Sequence, residues 1–123
     1  RLVGSEMCIR DRFISHAMNV VEHLSDRVAV MYLGKLMEYA PAEELFSSPA
    51  HPYTRALLSA VPILSGQETR KRIVLEGDVP SASHVPSGCR FHTRCYMADD
   101  RCRTEEPCMR EICPGHFACC HKV

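Results

Sequence analysis

Apolar residues recur along the first part of the chain at spacings that distinguish strands from helices. Residues 28–33 form a continuous apolar run rich in strand formers, and after Gly34 and Lys35 the segment 36–39 returns as its partner. This pattern is typical of a β-hairpin with a two-residue turn at Gly34 and Lys35. Two further strands are expected, namely the end of a buried strand over 13–16 and a strand over 73–77.

Three segments have helical patterns, namely residues 17–25, 42–46 and 51–60. The first places Val20, Val21 and Leu24 on one side of a short helix. The second begins after Pro41 with acidic residues in its first turn, where proline and negative charge are both favoured. The polar stretch 65–72 predicts a linker.

The last third of the chain has a different character. Four prolines lie between residues 79 and 123, hydrophobic periodicity is weak, and seven of the eight cysteines follow residue 88. A segment of this kind cannot bury a large core of its own, so it needs an additional stabilising element. The cysteines indicate that this element is a disulfide framework, a metal ion or a metal cluster.

Charge excludes several classes of partner. Lys plus Arg and Asp plus Glu each total 15, so no net charge attracts nucleic acid or anionic lipid, and the basic residues 70–72 are interpreted as a solvated face. No apolar run approaches the roughly 20 residues that span a bilayer. Residues 1–12 have neither a helix nor a strand pattern and no secretory signal, and we interpret them as a non-native or disordered terminus.

Four cysteines have spacings that favour a large metal cluster over a single ion. Cys89, Cys95, Cys102 and Cys120 are separated by five, six and seventeen residues, whereas zinc knuckles have two to four. Wider gaps suit a 4Fe–4S cluster, although zinc and disulfides stay open from spacing alone. The remaining candidates in this region are extra histidines for a zinc site and additional thiols, namely His92, His116, His121, Cys108, Cys113 and Cys119.

Several strings along the chain resemble one family. They are FISH at 13–16, VVEHLSDRVAVMYLGK at 20–35, HPYTRALL at 51–58, LEGDVPS at 75–81, PSGCRFHTRC at 86–95 and HFACCH at 116–121. Together they resemble the C-terminal part of the ATP-binding subunits of dipeptide and oligopeptide ABC importers. The resemblance implies an α+β fold, with the C-terminal remnant of a P-loop ABC ATPase domain over 13–64 and an irregular Cys-rich extension over 65–123.

The same resemblance implies a set of functional residues. His16 corresponds to the switch histidine, which contacts the γ-phosphate of ATP and takes part in catalysis in the complete protein. Cys89, Cys95, Cys102 and Cys120 correspond to the ligands of a 4Fe–4S cluster, with zinc as the alternative. One departure is Ala17, where the family usually has Asp.

The resemblance also implies partners and a location. ATP and Mg²⁺ would bind the parent protein, a second ABC ATPase subunit and transmembrane permease subunits would assemble with it, and a binding protein would deliver peptide. The assembly would lie at the cytoplasmic face of the membrane, as a peripheral subunit.

The 123 residues contain no phosphate loop, no LSGGQ signature and no Walker B segment. One histidine without Mg²⁺ ligands and a phosphate cradle cannot catalyse phosphoryl transfer, so we expect this chain alone to be inactive. Two other interpretations remain from the sequence, a stand-alone Cys-rich metal-binding interaction module and an electron-transfer protein.

Overall fold

The computed structural model describes residues 12–61 and 71–123. These residues form four helices, α1 (Met18–Leu24), α2 (Ala42–Ser47), α3 (Pro52–Ser59) and α4 (Asp100–Thr104). They also form four strands, β1 (Arg27–Tyr32), β2 (Lys35–Pro41), β3 (Arg110–Cys113) and β4 (His116–Ala118). The predictions for residues 1–12 and for the linker over 65–72 fall almost wholly outside the described residues.

The predicted hairpin is confirmed as β1 and β2, but its turn lies one residue earlier than expected. Tyr32 pairs with Lys35, so Leu33 and Gly34 form the turn, with φ of 49° and 75°. A two-residue turn that matches strand twist needs positive φ at both central positions, and glycine reaches that region without steric cost. Lys35 therefore belongs to the ladder.

The four strands form one antiparallel sheet in the order β1-β2-β4-β3. The extension is joined to the hairpin because Glu38 pairs with Ala118 and Tyr39 with Phe117. Cys119 N–H also donates to the Met37 carbonyl at 2.8 Å. The fold is α+β. Residues 71–99 of the extension form no helix or strand, whereas the rest of it contains α4, β3 and β4, which the sequence analysis did not predict. These elements have three to five residues each, too few for a periodic pattern to emerge.

Two strand predictions were also wrong. Residues 73–77 form no strand, and Ile73 N–H donates instead to Ser59 Oγ at 2.9 Å. Residues 13–16 form no strand, and the Ile14 side chain is 97% exposed. A strand requires a neighbouring strand that bonds its backbone groups. The edge of β2 that does not pair with β1 is occupied by β4, so residues 73–77 do not pair there.

A hydrophobic core lies between the hairpin and helices α2 and α3. Side chains of β1 alternate between exposed and buried, and the buried members of this core are Val28, Val30, Ala40, Ala42, Leu45, Phe46 and Leu58. Burial of each large apolar side chain contributes on the order of 2 kcal/mol. Helix α1 adds only Met18 and Val21 at the margin. Within the described residues, no helix combines the length and apolar character needed to cross a membrane.

Candidate functional site

A second buried cluster joins the extension to the hairpin, and we refer to it as the thiol–aromatic cluster. Its buried members are Tyr32, Met37, Cys89, Phe91 and Cys102, with Tyr53 and Cys95 packed against them. Phe91 has no exposed surface. Its ring lies 5.2 Å from that of Tyr32 and 5.1 Å from that of Tyr53. One side of the cysteine-rich region is therefore covered by aromatic rings from β1 and α3.

Backbone contacts bring Cys89 and Cys102 together. Cys89 N–H donates to the Cys102 carbonyl at 2.8 Å. The preceding residue, Gly88, has φ of +69°, and a Cβ there would lie 2.4 Å from the Cys102 carbonyl oxygen. Asp99 caps α4 by accepting from Cys102 N–H at 3.1 Å, and Lys122 bonds to the same carboxylate. The glycine and the cap together set the positions of both cysteines.

Cys95 and Cys120 each have a sulfur that accepts a backbone N–H. Met97 N–H approaches Cys95 Sγ at 3.4 Å, and Lys122 N–H approaches Cys120 Sγ at 3.4 Å. Hydrogen bonds of this kind stabilise negative charge on sulfur and tune thiolate-bound metal clusters. Each of these two sulfurs therefore has one backbone donor that favours its ionised form.

The predicted ligands act on one another electrostatically. Burial raises the pKa of Cys95 to about 11, and the charges of Cys120, Cys89 and Cys102 act in the same direction. Burial likewise raises the pKa of Cys89 and of Cys120, with contributions from neighbouring thiols. A bound cation near these thiols would oppose this effect and favour their deprotonated form.

The structure does not assemble these thiols into a ligand set for one metal ion. In residues 12–61 and 71–123, no group of three or more His, Cys, Asp or Glu side chains is arranged to hold an ion. A tetrahedral zinc site with Zn–S bonds of about 2.3 Å would bring its sulfurs to roughly 3.8 Å of one another. Protonated thiols pack as small apolar groups, so nothing draws them that close. The assignment of the four cysteines as ligands stays a prediction.

The three histidines considered as zinc ligands have oxygen partners. His92 Nδ1 lies 2.7 Å from the Cys89 carbonyl oxygen, and His121 Nε2 lies 2.9 Å from the Glu105 carbonyl oxygen. His116 uses both ring nitrogens on carboxylates. Each of these imidazoles therefore has a structural hydrogen bond within the extension or to the hairpin.

Glu38, Glu44 and His116 form a buried carboxylate–histidine network that the sequence analysis did not predict. His116 Nε2 lies 2.5 Å from Glu38 Oε1, and His116 Nδ1 lies 3.1 Å from Glu44 Oε1. Glu38 has no exposed surface and also accepts backbone N–H groups of Ala50 and His51, at 2.8 and 3.0 Å. The network therefore connects β4 to β2, α2 and the start of α3.

His51 lies between the network and the thiol–aromatic cluster. Its Nδ1 accepts Tyr53 N–H at 3.0 Å and caps α3, and its ring lies 5.8 Å from that of Phe91. Burial lowers the pKa of His51 to about 4, against opposing effects of Glu38 and the Cys119 backbone. The first residue of the HPY string is therefore a neutral, buried helix cap.

His16 lies on the exposed segment that precedes α1. It lies far along the chain from the four cysteines. Its role as a switch histidine stays a prediction.

The family comparison matches the region that contains most of these features. Residues 37–102 match the family described as the oligopeptide/dipeptide transporter, C-terminal region. The chain belongs to this family. The match includes the HPY helix cap and three of the four predicted cysteine ligands, Cys89, Cys95 and Cys102.

Individual members of the family align along most of the chain. The oligopeptide transport ATP-binding protein AppF of Bacillus subtilis is 52% identical over 111 residues, which are 89% of this chain and 34% of that protein. The di/tripeptide transport ATP-binding protein DppF of Pseudomonas aeruginosa is 48% identical over 109 residues, 89% of this chain and 34% of the relative. The chain thus spans about a third of the length of these family members.

Proposed function

We propose that this chain is the C-terminal part of the ATP-binding subunit of a peptide-importing ABC transporter. The observation that carries the proposal is the family match over residues 37–102, together with relatives named as peptide transport ATP-binding proteins. ATP and Mg²⁺ would bind the parent protein through motifs that these 123 residues do not contain. A second ATPase subunit, permease subunits and a peptide-binding protein would complete the assembly at the cytoplasmic face of the membrane.

In this proposal His16 is the residue that senses the γ-phosphate. An imidazole can donate a hydrogen bond to a phosphate oxygen and help to orient the attacking water. The exposed position of His16 before α1 is compatible with contact across an interface between ATPase domains.

We further propose that residues 65–123 stabilise the ATPase segment over 13–64. The β2–β4 pairing and the carboxylate–histidine network support this role, because both join the two segments through buried polar contacts. A strand held by buried hydrogen bonds to a carboxylate does not detach without leaving that carboxylate and its donors without partners. The extension therefore acts as a rigid attachment rather than as a loose tail.

Cys89, Cys95, Cys102 and Cys120 are proposed to hold a 4Fe–4S cluster. The donor chemistry supports this proposal. Soft thiols are the ligands of such clusters, Cys89 and Cys102 lie in one buried cluster with Cys95 packed against it, and aromatic rings cover one side. The sulfurs of Cys95 and Cys120 each accept a backbone N–H. Such a cluster, when bound, crosslinks segments of the chain and can exchange one electron. The residues of this chain would orient the sulfurs and limit access of water to them.

The nucleotide part of the proposal is tested by a chimera. The matched C-terminal third of the Bacillus subtilis relative is replaced by residues 13–123, and ATP hydrolysis and peptide uptake are measured in membrane vesicles with the cognate permease. We expect uptake to be retained, and the His16→Ala chimera to lose at least about tenfold in hydrolysis while still binding ATP. His23→Ala, an exposed histidine on α1, is the matched control. Equal hydrolysis by both variants would remove His16 from the mechanism.

The cluster is tested separately in the whole chain. Anaerobic expression should give a brown protein that contains about four iron and four sulfide ions per chain. Cys95→Ser should lower the iron content to background, whereas Cys113→Ser, at an exposed thiol on β3, should not change it. Zinc without iron in metal analysis would overturn the cluster and leave the transporter assignment unaffected.

A further inference from the structure

Cys119 is a deeply buried thiol that the proposed cluster does not use. Its side chain is 1% exposed, and its Sγ donates to the Pro107 carbonyl at 2.9 Å. Cys108 continues the chain directly from that carbonyl. Standard peptide geometry therefore places the Cys119 sulfur within about 6 Å of the Cys108 Cα.

The β3–β4 hairpin places the two residues at its open end, one position out of register with each other. Arg110 pairs with Ala118, so Cys119 lies one residue beyond the last pair and Cys108 lies two residues before it. Directly opposed residues in an antiparallel ladder have Cα atoms about 4.5–5.5 Å apart, and an offset of one residue along the strand adds only about 1 Å to that distance. A disulfide spans Cα separations of roughly 4.4–6.8 Å. The charge of Cys108 also acts on the Cys119 thiol, and both residues are free thiols.

The two thiols of the pair differ in their exposure to solvent. Cys108 is exposed and accessible to a dissolved oxidant, while Cys119 is covered. Lys35 Nζ bonds the Glu106 carboxylate at 2.5 Å and the Pro107 carbonyl at 3.3 Å. Its ammonium is therefore held beside the segment that leads into Cys108.

We propose that Cys108 and Cys119 form a redox-active dithiol that closes a disulfide on exposure to hydrogen peroxide. The Cys108 sulfur attacks one peroxide oxygen, the O–O bond breaks, and Cys108 becomes a sulfenic acid as one water leaves. The Cys119 sulfur then attacks the Cys108 sulfur. The S–S bond forms as the S–OH bond breaks, and the hydroxyl leaves with the Cys119 thiol proton as a second water.

The disulfide would connect the segment before β3 to the residue next to Cys120, independently of any metal. Two electrons pass from the thiols to the peroxide, and a dithiol reductant restores the reduced pair. The proposal does not rest on the ATPase assignment or on the cluster.

The test maps disulfides in the whole 123-residue chain, reduced and freed of metal by a chelator. The chain is treated with hydrogen peroxide, remaining thiols are alkylated, and tryptic peptides are analysed by mass spectrometry without reduction. We expect residues 104–110 to be linked to residues 111–122, with fragmentation placing the bond at Cys119. Alkylation of Cys108 should fall at least tenfold, while that of Cys113 is retained.

Two variants and one denatured sample make the outcome decisive. C119S should lose the linked peptide and accumulate a dimedone-reactive sulfenic acid at Cys108, whereas C113S should behave as the wild type. The same oxidation in urea should give mixed pairings. Linkage of Cys108 to Cys113 or Cys120 in the folded chain, or the same mixture with and without urea, would overturn the proposal. The disulfide map of the wild-type chain tests the proposal even if the C119S variant does not fold.

Discussion

The two buried regions on either side of His51 differ in how completely their polar atoms are paired. In the carboxylate–histidine network, both nitrogens of His116 and both oxygens of Glu38 have partners. Around the thiol–aromatic cluster, Tyr32 Oη and Arg94 Nε are buried and have no hydrogen-bond partner among the described residues. Buried polar groups in folded proteins are nearly always paired. The network meets this expectation, whereas the region around the cluster leaves buried polar atoms without partners among the described residues.

The network provides the largest expected effect. Glu38→Gln removes the charge that faces His116 and places an amide N–H against backbone donors at Ala50 or His51. Two buried N–H donors then face each other without an acceptor, which costs about 3–5 kcal/mol in total because each unsatisfied buried donor costs about 1–3 kcal/mol. We therefore expect the free energy of unfolding, measured with urea, to fall by that amount.

The double variant Glu38→Gln with His116→Gln separates this cause from a general loss of packing. Two uncharged amides can bond each other, so we expect the pair to recover at least half of the stability lost by Glu38→Gln alone. Glu43→Gln, an exposed carboxylate in the first turn of the same α2 that contains Glu44, is the control and should cost about 0.5 kcal/mol. If Glu38→Gln cost no more stability than Glu43→Gln, the network would not contribute to the stability of the fold.

His51 gives the second prediction, because it contacts both regions. Its pKa is about 4 in the folded chain, against an ordinary value of 6.5. Between these values the unfolded chain binds more protons, so stability is complete above pH 6.5 and is lost as the pH falls toward 4. The expected loss from this residue is about 3 kcal/mol at pH 4.

His51→Asn tests this assignment, because asparagine can still cap α3 while it does not titrate. Urea unfolding at pH 7 and pH 4 should show a difference about 3 kcal/mol smaller in the variant than in the wild type. His84→Asn, at an exposed position in the 81–84 turn, provides the matched control. If the His51 variant retains the wild-type difference between the two pH values, another group is responsible for the loss of stability in acid.

The sequence was sufficient for the elements that short-range signals define. Helices α2 and α3 begin next to Pro41 and at Pro52, and the β1–β2 turn contains Gly34, so each was predicted to within a few residues. Strand β4 was missed because its position depends on pairing with β2, and the hydrogen bond from His116 to Glu38 joins residues 78 positions apart. No local pattern contains information about such a contact.

The candidate site was predictable in composition but not in arrangement. The cysteine spacing and the family resemblance selected Cys89, Cys95, Cys102 and Cys120, and in the structure Cys89 and Cys102 belong to one buried cluster with Cys95 packed against it. Glu38 had no distinguishing signal, because an acidic residue in a hairpin strand is ordinarily solvated. The burial of that residue depends on β4 and α2 packing over it, which is a consequence of the tertiary fold.

The smallest expected effect on stability comes from the thiol–aromatic cluster, at the glycine that precedes Cys89. Gly88→Ala would place a Cβ 2.4 Å from the Cys102 carbonyl oxygen at φ of +69°, so the backbone of α4 must move. We expect a loss of about 2 kcal/mol in urea unfolding. Gly34→Ala shares the positive φ but has only an Arg90 side-chain atom at 3.9 Å, and should cost about 1 kcal/mol. The difference between them measures how tightly Cys89 and Cys102 are held. Equal losses for Gly88→Ala and Gly34→Ala would show that the backbone contact between Cys89 and Cys102 shifts at little cost. The thiol–aromatic cluster would then be more adaptable than the carboxylate–histidine network.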